Sequence, residues 1–128
     1  IGGMVLDPSV WASGLARSPG TPLAFVLALV EDWCPDCQQA IPVLAKAAGE
    51  RARFFLRDQN PHLREAYRLG EKRIVPTFVF LDGGFRELAR WYGRAGLPPG
   101  GPGEVYHARF PQWAEAMREE WARLLNPP

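Results

Sequence analysis

Two cysteines separated by two residues are the most reactive feature of the sequence. They lie in the stretch Trp33-Cys34-Pro35-Asp36-Cys37, and the chain has no others. Residues 23–30 are almost wholly apolar and typical of a buried strand, whereas residues 38–50 are typical of a helix. A helix N-terminus stabilises a thiolate, and the thiolate is the nucleophile in disulfide exchange. The pattern therefore predicts a reactive dithiol where a strand leads into a helix.

The order of the two cysteines predicts different roles for them. Cys34 comes first, at the more exposed end of the helix, and is the predicted nucleophile that forms a mixed disulfide with a substrate. Cys37 lies one turn further along, close enough to attack that mixed disulfide and release the reduced substrate. Pro35 fixes its own backbone dihedral and has no N–H to donate to the Cys34 sulfur. Asp36 stabilises the first helical turn, but its charge disfavours the Cys34 thiolate, which predicts a modest reductant rather than a strong oxidant.

The composition restricts the classes of protein that fit. The 128 residues, 47% of them hydrophobic, suit one globular domain, and a net charge of +1 gives no reason to expect nucleic acid or an anionic membrane as partner. No apolar run reaches the roughly 18 residues that span a bilayer, and no basic-then-apolar leader is present. Two cysteines do not form a disulfide framework. We expect a cytoplasmic monomer, although a mature exported chain would have the same features.

Cap and turn residues divide the chain into a helix followed by alternating strands and helices. Asp7-Pro8 starts the first predicted helix, and Asn60-Pro61 repeats this cap-plus-proline start before a helix that Gly70 ends. Pro42 interrupts the helix after the cysteines and is expected to kink it. The strands are predicted at 23–30, 53–57, 77–81 and 85–91, with a hairpin turn at 82–84, and the helices at 7–17, 34–50, 61–69 and 111–125.

The closing helix and the two irregular segments complete the division. An apolar stripe along that helix predicts packing against the core, and it comprises Phe110, Trp113, Met117, Trp121 and Leu124. Residues 93–107 are a Gly- and Pro-rich insert in the single predicted domain, 1–128. Residues 1–6, with Met4 after Ile1-Gly2-Gly3, are expected to be disordered or left over from cloning or processing.

Several motifs in register resemble those of the thioredoxin family. They are Trp33-Cys34-x-x-Cys37 between a strand and a helix, Pro42 in that helix, Asp58-Gln59-Asn60-Pro61 at the next junction, Val75-Pro76-Thr77 before a strand, and Gly93 after the hairpin. The resemblance covers roughly residues 22–125. It implies an α/β thioredoxin fold with a central mixed β-sheet of about four strands, helices on both faces, and the order α-β-α-β-α-β-β-α.

The resemblance also implies a substrate site beside the dithiol. The Val75–Pro76 bond would be cis, and Val75 would offer its backbone to an extended substrate strand, with Thr77 and Gly93 nearby. The alternative interpretation is a trans Pro76 that starts an edge strand. Trp33 is either part of the contact surface around the dithiol or a packing residue.

Two departures from the family pattern affect the chemistry. Thioredoxins usually have a buried Asp below the dithiol and a Lys across from it, and the matching positions here are Ala28 and Phe54. Glu31 and Asp32 stand nearer to the cysteines and are candidates for proton transfer through a water molecule, unless they are solvated charges at a strand end. Residues 94–103 make a longer connection than in thioredoxins and are either a recognition element or a spacer.

The predicted function is the reduction of protein disulfides by a thiol-disulfide oxidoreductase that uses Cys34 and Cys37. No cofactor is expected. The implied partners are a disulfide-containing protein and an electron donor such as a thioredoxin reductase or a small thiol. One alternative is a glutaredoxin-like reductase of small-thiol mixed disulfides, although no second Gly-Gly-x-x-Asp element follows the hairpin. Another is a metal- or cluster-binding module, although His62 and His107 are not at ligand spacing.

Overall fold

The computed structural model describes residues 23–93 and 110–125, which contain four strands and three α-helices. The strands are β1 (Phe25–Val30), β2 (Ala52–Leu56), β3 (Thr77–Leu81) and β4 (Glu87–Tyr92). The helices are α1 (Pro35–Ala48), α2 (Pro61–Ala66) and α3 (Phe110–Leu125), and short 3-10 turns span Gly49–Arg51 and Arg57–Gln59. The order matches the prediction from the first strand onward.

Some predictions concern residues that are not described. The helix at 7–17, the residues 1–6 and the insert after Gly93 lie outside the described residues, so these remain predictions. Within 23–93 and 110–125, no helix has the length and apolar character needed to cross a membrane.

The four strands form one mixed sheet in the order β2-β1-β3-β4. β1 pairs in parallel with β2 and antiparallel with β3, and β3 pairs antiparallel with β4. Helices lie on both faces of the sheet, as predicted. Because Val30 at the end of β1 lies opposite Leu56 at the end of β2, the segments that follow these two parallel strands leave the sheet at the same end. The cysteines lie at this end of the sheet.

The continuous apolar run of β1 matches full burial on one face and partial burial on the other, where Phe25 and Leu27 are half-buried. Val26, Ala28 and Val30 belong to the main core cluster together with residues of α1, β3 and α3. Leu29, which points to the opposite face, is also buried. A central strand covered by helices on both sides needs apolar residues at successive positions, which is why the run does not alternate.

An aromatic cluster joins α3 to β3 and β4. The ring of Trp121 lies 5.5 Å from that of Trp91, edge-on, and 5.5 Å from that of Phe78. The indole N–H of Trp91 donates to Glu120 at 2.7 Å, so its polar atom is satisfied within the cluster. These contacts fix β3, the strand that follows Pro76, against the core.

The apolar stripe of α3 differs from the prediction at its C-terminal end. Met117 and Trp121 are buried as predicted, but the assignment of Leu124 was wrong, because Leu124 is 38% exposed and Leu125 only 1%. Ala114 is also buried. Positions three and four residues after Trp121 both satisfy the helical period, so the sequence pattern alone does not choose between them. The side chains of Phe110 and Trp113 lie outside the described residues.

The helix predicted at 61–69 is shorter than expected. α2 ends at Ala66, and Gly70 lies instead in a tight turn with a φ of +60°. Asn60 occupies the N-cap position but makes no capping hydrogen bond. Its side-chain amide donates to the carbonyl of Leu56 at 2.8 Å instead, which ties the start of α2 to the end of β2.

The hairpin turn is longer than predicted, and β4 begins at Glu87 rather than at residue 85. The cause is Asp82, whose Oδ1 accepts hydrogen bonds of 2.9 Å from the backbone N–H groups of both Gly84 and Arg86. These bonds extend the turn by satisfying backbone donors that would otherwise pair across the strands.

Adjacent leucines of α3 provide a test of its packing. Leu125→Ala should lower the free energy of unfolding by about 2–5 kcal/mol because it removes a fully buried side chain and leaves a cavity. Leu124→Ala, the matched control, should cost less than about 1 kcal/mol because much of that side chain is in solvent. Urea unfolding of both variants measures the difference, and equal or reversed costs would show that the helix is rotated.

Candidate active site

The dithiol lies at the junction of β1 and α1, where Cys34 caps the helix. Its sulfur accepts a hydrogen bond from the backbone N–H of Cys37, with 3.2 Å between the two atoms. The Cys34 thiol in turn donates to the carbonyl of Val75 at 3.6 Å. Both cysteines are free and buried, with 5% exposure for Cys34 and 0% for Cys37. Cys34 is the more exposed of the pair, as predicted, but by a narrow margin.

The two thiols have pKa values shifted in opposite directions. The pKa of Cys34 is lowered from 9.0 to about 7, chiefly because the Cys37 thiol donates a hydrogen bond to it, with a further contribution from the Cys37 N–H. Burial and the charge of Asp36 act against this decrease. The pKa of Cys37 is raised well above its ordinary value by its hydrogen bond to Cys34 and by burial. Near neutral pH, Cys34 is therefore the thiol that ionises.

The first turn of α1 contains the two residues between the cysteines. Pro35 is the first residue of the helix, where its lack of an N–H has no cost, and it is exposed. Asp36 is half-buried, and its charge raises the pKa of Cys34 in the predicted direction, although hydrogen bonding and burial have larger effects.

A cis peptide bond between Val75 and Pro76 lies beside the dithiol, which confirms the predicted isomer. The N–H of Gly93 donates to the carbonyl of Pro76 at 2.9 Å, and Gly93 has a φ of +76°, a conformation that favours glycine. Thr77 is fully buried, and its hydroxyl donates to the carbonyl of Ile74 at 2.7 Å. The structure therefore brings together the dithiol, the cis-proline loop and Gly93.

Trp33 is 59% exposed, so it is a surface residue rather than a packing residue. The guanidinium of Arg57 lies over its ring, 5.5 Å from the centroid. No motif in the sequence points to Arg57. The parallel register of β1 and β2 brings the residues after the two strands together, and a register was not part of the sequence prediction.

Glu31 and Asp32 lie in different environments. Glu31 is buried at 6% exposure, and its carboxylate accepts a hydrogen bond of 2.9 Å from the N–H of Asp58. Its backbone N–H lies beside the Cys37 sulfur and lowers the pKa of that thiol. Asp32 is exposed, and its carbonyl accepts from the side chain of Gln38 at 3.1 Å. Of the two, Glu31 is the buried acidic residue, and its backbone lies next to the dithiol.

Ala28 and Phe54 lie directly opposite each other on β1 and β2. Ala28 is fully buried and Phe54 is exposed. Neither side chain can ionise, so this pair of positions provides no proton carrier. Within residues 23–93 and 110–125, no three His, Cys, Asp or Glu side chains are grouped to hold a metal ion.

Fold and site together define an α/β protein with a Cys-x-x-Cys dithiol next to a cis-proline. A family model described as thioredoxin matches residues 18–97, and the chain belongs to the thioredoxin family. Family membership and the closely spaced cysteines indicate a redox function.

Comparison with solved structures agrees on the fold. The chain is similar to a protein of unknown function from Pseudomonas aeruginosa, with 22% identity, a TM-score of 0.67, and coverage of 94% of this chain and 74% of that one. It is also similar to an HIV epitope-scaffold, with 19% identity, a TM-score of 0.67, and coverage of 94% and 80%. At these identities the similarity shows the fold alone. A search of curated proteins found no significant match.

The opposing influences on Cys34 lead to paired predictions. Asp36→Asn should lower the pKa of Cys34 because it removes a nearby negative charge. Cys37→Ala should raise the pKa because it removes the thiol that donates to the Cys34 sulfur.

The rate of Cys34 alkylation by iodoacetamide, measured across pH 5–10, reports both shifts. In the reduced wild-type protein the rate should rise with pH around a midpoint of about 7, since only the thiolate reacts. A midpoint that stays fixed or rises in Asp36→Asn would contradict the assigned effect of Asp36.

Proposed function

We propose that the protein is a thiol-disulfide oxidoreductase that reduces disulfides in protein substrates. The observation that best supports this is the pair of opposite pKa shifts, with that of Cys34 lowered to about 7 and that of Cys37 raised. One thiol is then a nucleophile at neutral pH, while the other keeps its proton until it is needed.

The reaction proceeds in two exchange steps. The Cys34 thiolate attacks one sulfur of the substrate disulfide, forms a Cys34–substrate disulfide and expels the other substrate sulfur as a thiolate, which takes up a proton. Cys37 then loses its proton and attacks the Cys34 sulfur. This forms the Cys34–Cys37 disulfide and releases the second substrate thiolate, which is also protonated. The substrate gains two electrons and two protons, and the enzyme dithiol loses both.

The substrate chain is proposed to bind beside the cis-proline loop. Val75 is half-buried, and its carbonyl lies 3.6 Å from the Cys34 sulfur. An extended substrate strand paired with Val75 would therefore present its disulfide at Cys34. Once Cys34 is a thiolate it no longer donates to this carbonyl, which leaves an acceptor for a substrate N–H.

Glu31 is proposed to take the proton from Cys37. Its burial and the position of its backbone beside the Cys37 sulfur support this role, with a water molecule as bridge from the carboxylate. The exposed Asp32 has weaker support.

The electron donor and the compartment are also part of the proposal. Turnover requires a dithiol or thiol reductant, such as a thioredoxin reductase or a small thiol, to reduce the Cys34–Cys37 disulfide. We propose that the protein acts as a cytoplasmic monomer without a bound cofactor.

Single cysteine variants test the mechanism. With dithiothreitol as reductant, the wild-type protein should accelerate insulin reduction, and Cys34→Ser should lose this activity. Reduced Cys37→Ser, mixed with insulin after dithiothreitol has been removed, should accumulate a covalent mixed disulfide with the substrate because the resolving step is blocked. Turbidity measures insulin reduction, and mass spectrometry detects the adduct. An active Cys34→Ser variant would exclude the proposed nucleophile. Reduction of a glutathione–peptide disulfide but not of insulin would favour the glutaredoxin-like alternative.

Neighbouring acidic residues provide a matched test of proton transfer. Glu31→Gln keeps an oxygen to accept from Asp58 but cannot take up a proton, so we expect the turnover of insulin to fall at least about tenfold. Asp32→Asn should change it less than about twofold because that side chain is exposed. Turnover across pH 6–9 checks this, and a larger loss in Asp32→Asn would reverse the assignment.

A further inference from the structure

Arg57 connects three segments around the dithiol. Its guanidinium lies over the ring of Trp33, at 5.5 Å from the centroid. It donates to the carbonyl of Arg73 at 2.7 Å, two residues before Val75. It also pairs with Asp58 at 3.0 Å. One side chain therefore contacts the segment before Cys34, the turn after β2 and the loop that leads to the cis-proline.

The same network extends into the buried part of the site. The backbone N–H of Asp58 donates to the buried carboxylate of Glu31, at 2.9 Å. Glu31 is three residues from Cys34, and its carbonyl accepts from the Cys34 N–H at 3.5 Å. Arg57 is thus at the surface end of a hydrogen-bonded path that begins next to the nucleophile.

The charge balance argues against a simple anion site at Arg57. The Asp58 carboxylate faces the guanidinium with two oxygens, at 3.0 Å from Nε and 3.5 Å from Nη2, and neutralises its charge. A third donor goes to the Arg73 carbonyl. With its side chain only 20% exposed, Arg57 is largely occupied by the protein itself, whereas the Trp33 ring it supports is 59% exposed.

We propose that Arg57 is a positioning residue that holds the Trp33 indole as one wall of the substrate site. This inference rests on the proposed disulfide reductase function. An extended peptide paired with Val75 would also contact the exposed indole, and Arg57 ties the indole to the segment before the cis-proline because it contacts the Trp33 ring and the Arg73 carbonyl. The surface selects apolar or aromatic side chains next to the substrate cysteine, since an exposed indole face contacts such groups well.

A ratio of two activities separates this role from a general structural one. Insulin presents a polypeptide chain to Trp33, whereas bis(2-hydroxyethyl) disulfide is small and has no ring, so it reacts with Cys34 without that contact. In Arg57→Gln, kcat/KM for insulin relative to the rate with bis(2-hydroxyethyl) disulfide should fall about 3- to 10-fold, mainly through KM, because the stacking that holds Trp33 is lost.

Four further variants make the test specific. Arg86→Gln removes the same charge from the turn before β4, where the side chain is 87% exposed, and should leave the ratio unchanged. Arg57→Lys should recover part of the ratio because it keeps a cation over the ring. Arg57→Gln combined with Trp33→Ala should equal Trp33→Ala within about twofold, because the arginine acts through the indole.

Fluorine NMR detects the contact between Arg57 and Trp33 independently of any activity assay. With 5-fluorotryptophan in all five positions, the Trp33 resonance is identified by its absence in Trp33→Phe, and it should shift in Arg57→Gln but not in Arg86→Gln. If the wild-type protein reduces insulin, any of three results would overturn this inference while leaving the proposed function intact. They are an unchanged insulin ratio in Arg57→Gln, an unmoved Trp33 resonance in Arg57→Gln, and additive effects of Arg57→Gln and Trp33→Ala in the double variant. A wild-type protein without insulin reductase activity would overturn the proposed function and, with it, the substrate role of Arg57.

Discussion

The hydrogen bond from the Cys37 N–H to the Cys34 sulfur is the interaction on which the site depends. It requires a helix that starts directly after Cys34, and Pro35 at the first helical position makes that start favourable. The sulfur takes the place that a serine or aspartate oxygen has in an ordinary helix cap. The reactive atom is therefore also a structural part of α1, and its position follows from the helix rather than from a flexible loop.

Distant parts of the chain complete the site through backbone groups. The Val75 carbonyl contacts Cys34, and the Pro76 carbonyl is held by the N–H of Gly93. These loops are fixed by the pairing of β3 with β1 and β4 and by the aromatic cluster under α3. The dithiol thus depends on the order of the whole sheet, although only two side chains take part in the exchange itself.

The sequence was sufficient for features that follow from local chemistry. The apolar run of β1, the proline at the start of α1 and the Cys-x-x-Cys spacing each have one strong physical interpretation, and the family motifs located the cis-proline and Gly93. Packing decided what local patterns left open. Leu124 and Leu125 both fit the period of α3, and α2 ends at Ala66, before the turn at Gly70 that the sequence indicated as its stop. Arg57 could not be found this way, because its contact with Trp33 arises from the strand register rather than from any motif.

The use of a thiol as a helix cap links protonation, folding and electron transfer. The folded-state pKa of Cys34 is depressed, so its contribution to the stability of the reduced fold is fully present above its ordinary value of 9.0 and is lost as pH falls through about 7. The raised pKa of Cys37 acts in the opposite sense, and its contribution is lost as pH rises above the ordinary thiol value. Folding and reduction of the cysteine pair form one thermodynamic cycle. Any interaction that stabilises the reduced fold more than the oxidised fold therefore makes the dithiol a weaker electron donor. The helix cap is thus a means by which the fold adjusts the driving force of its own reaction.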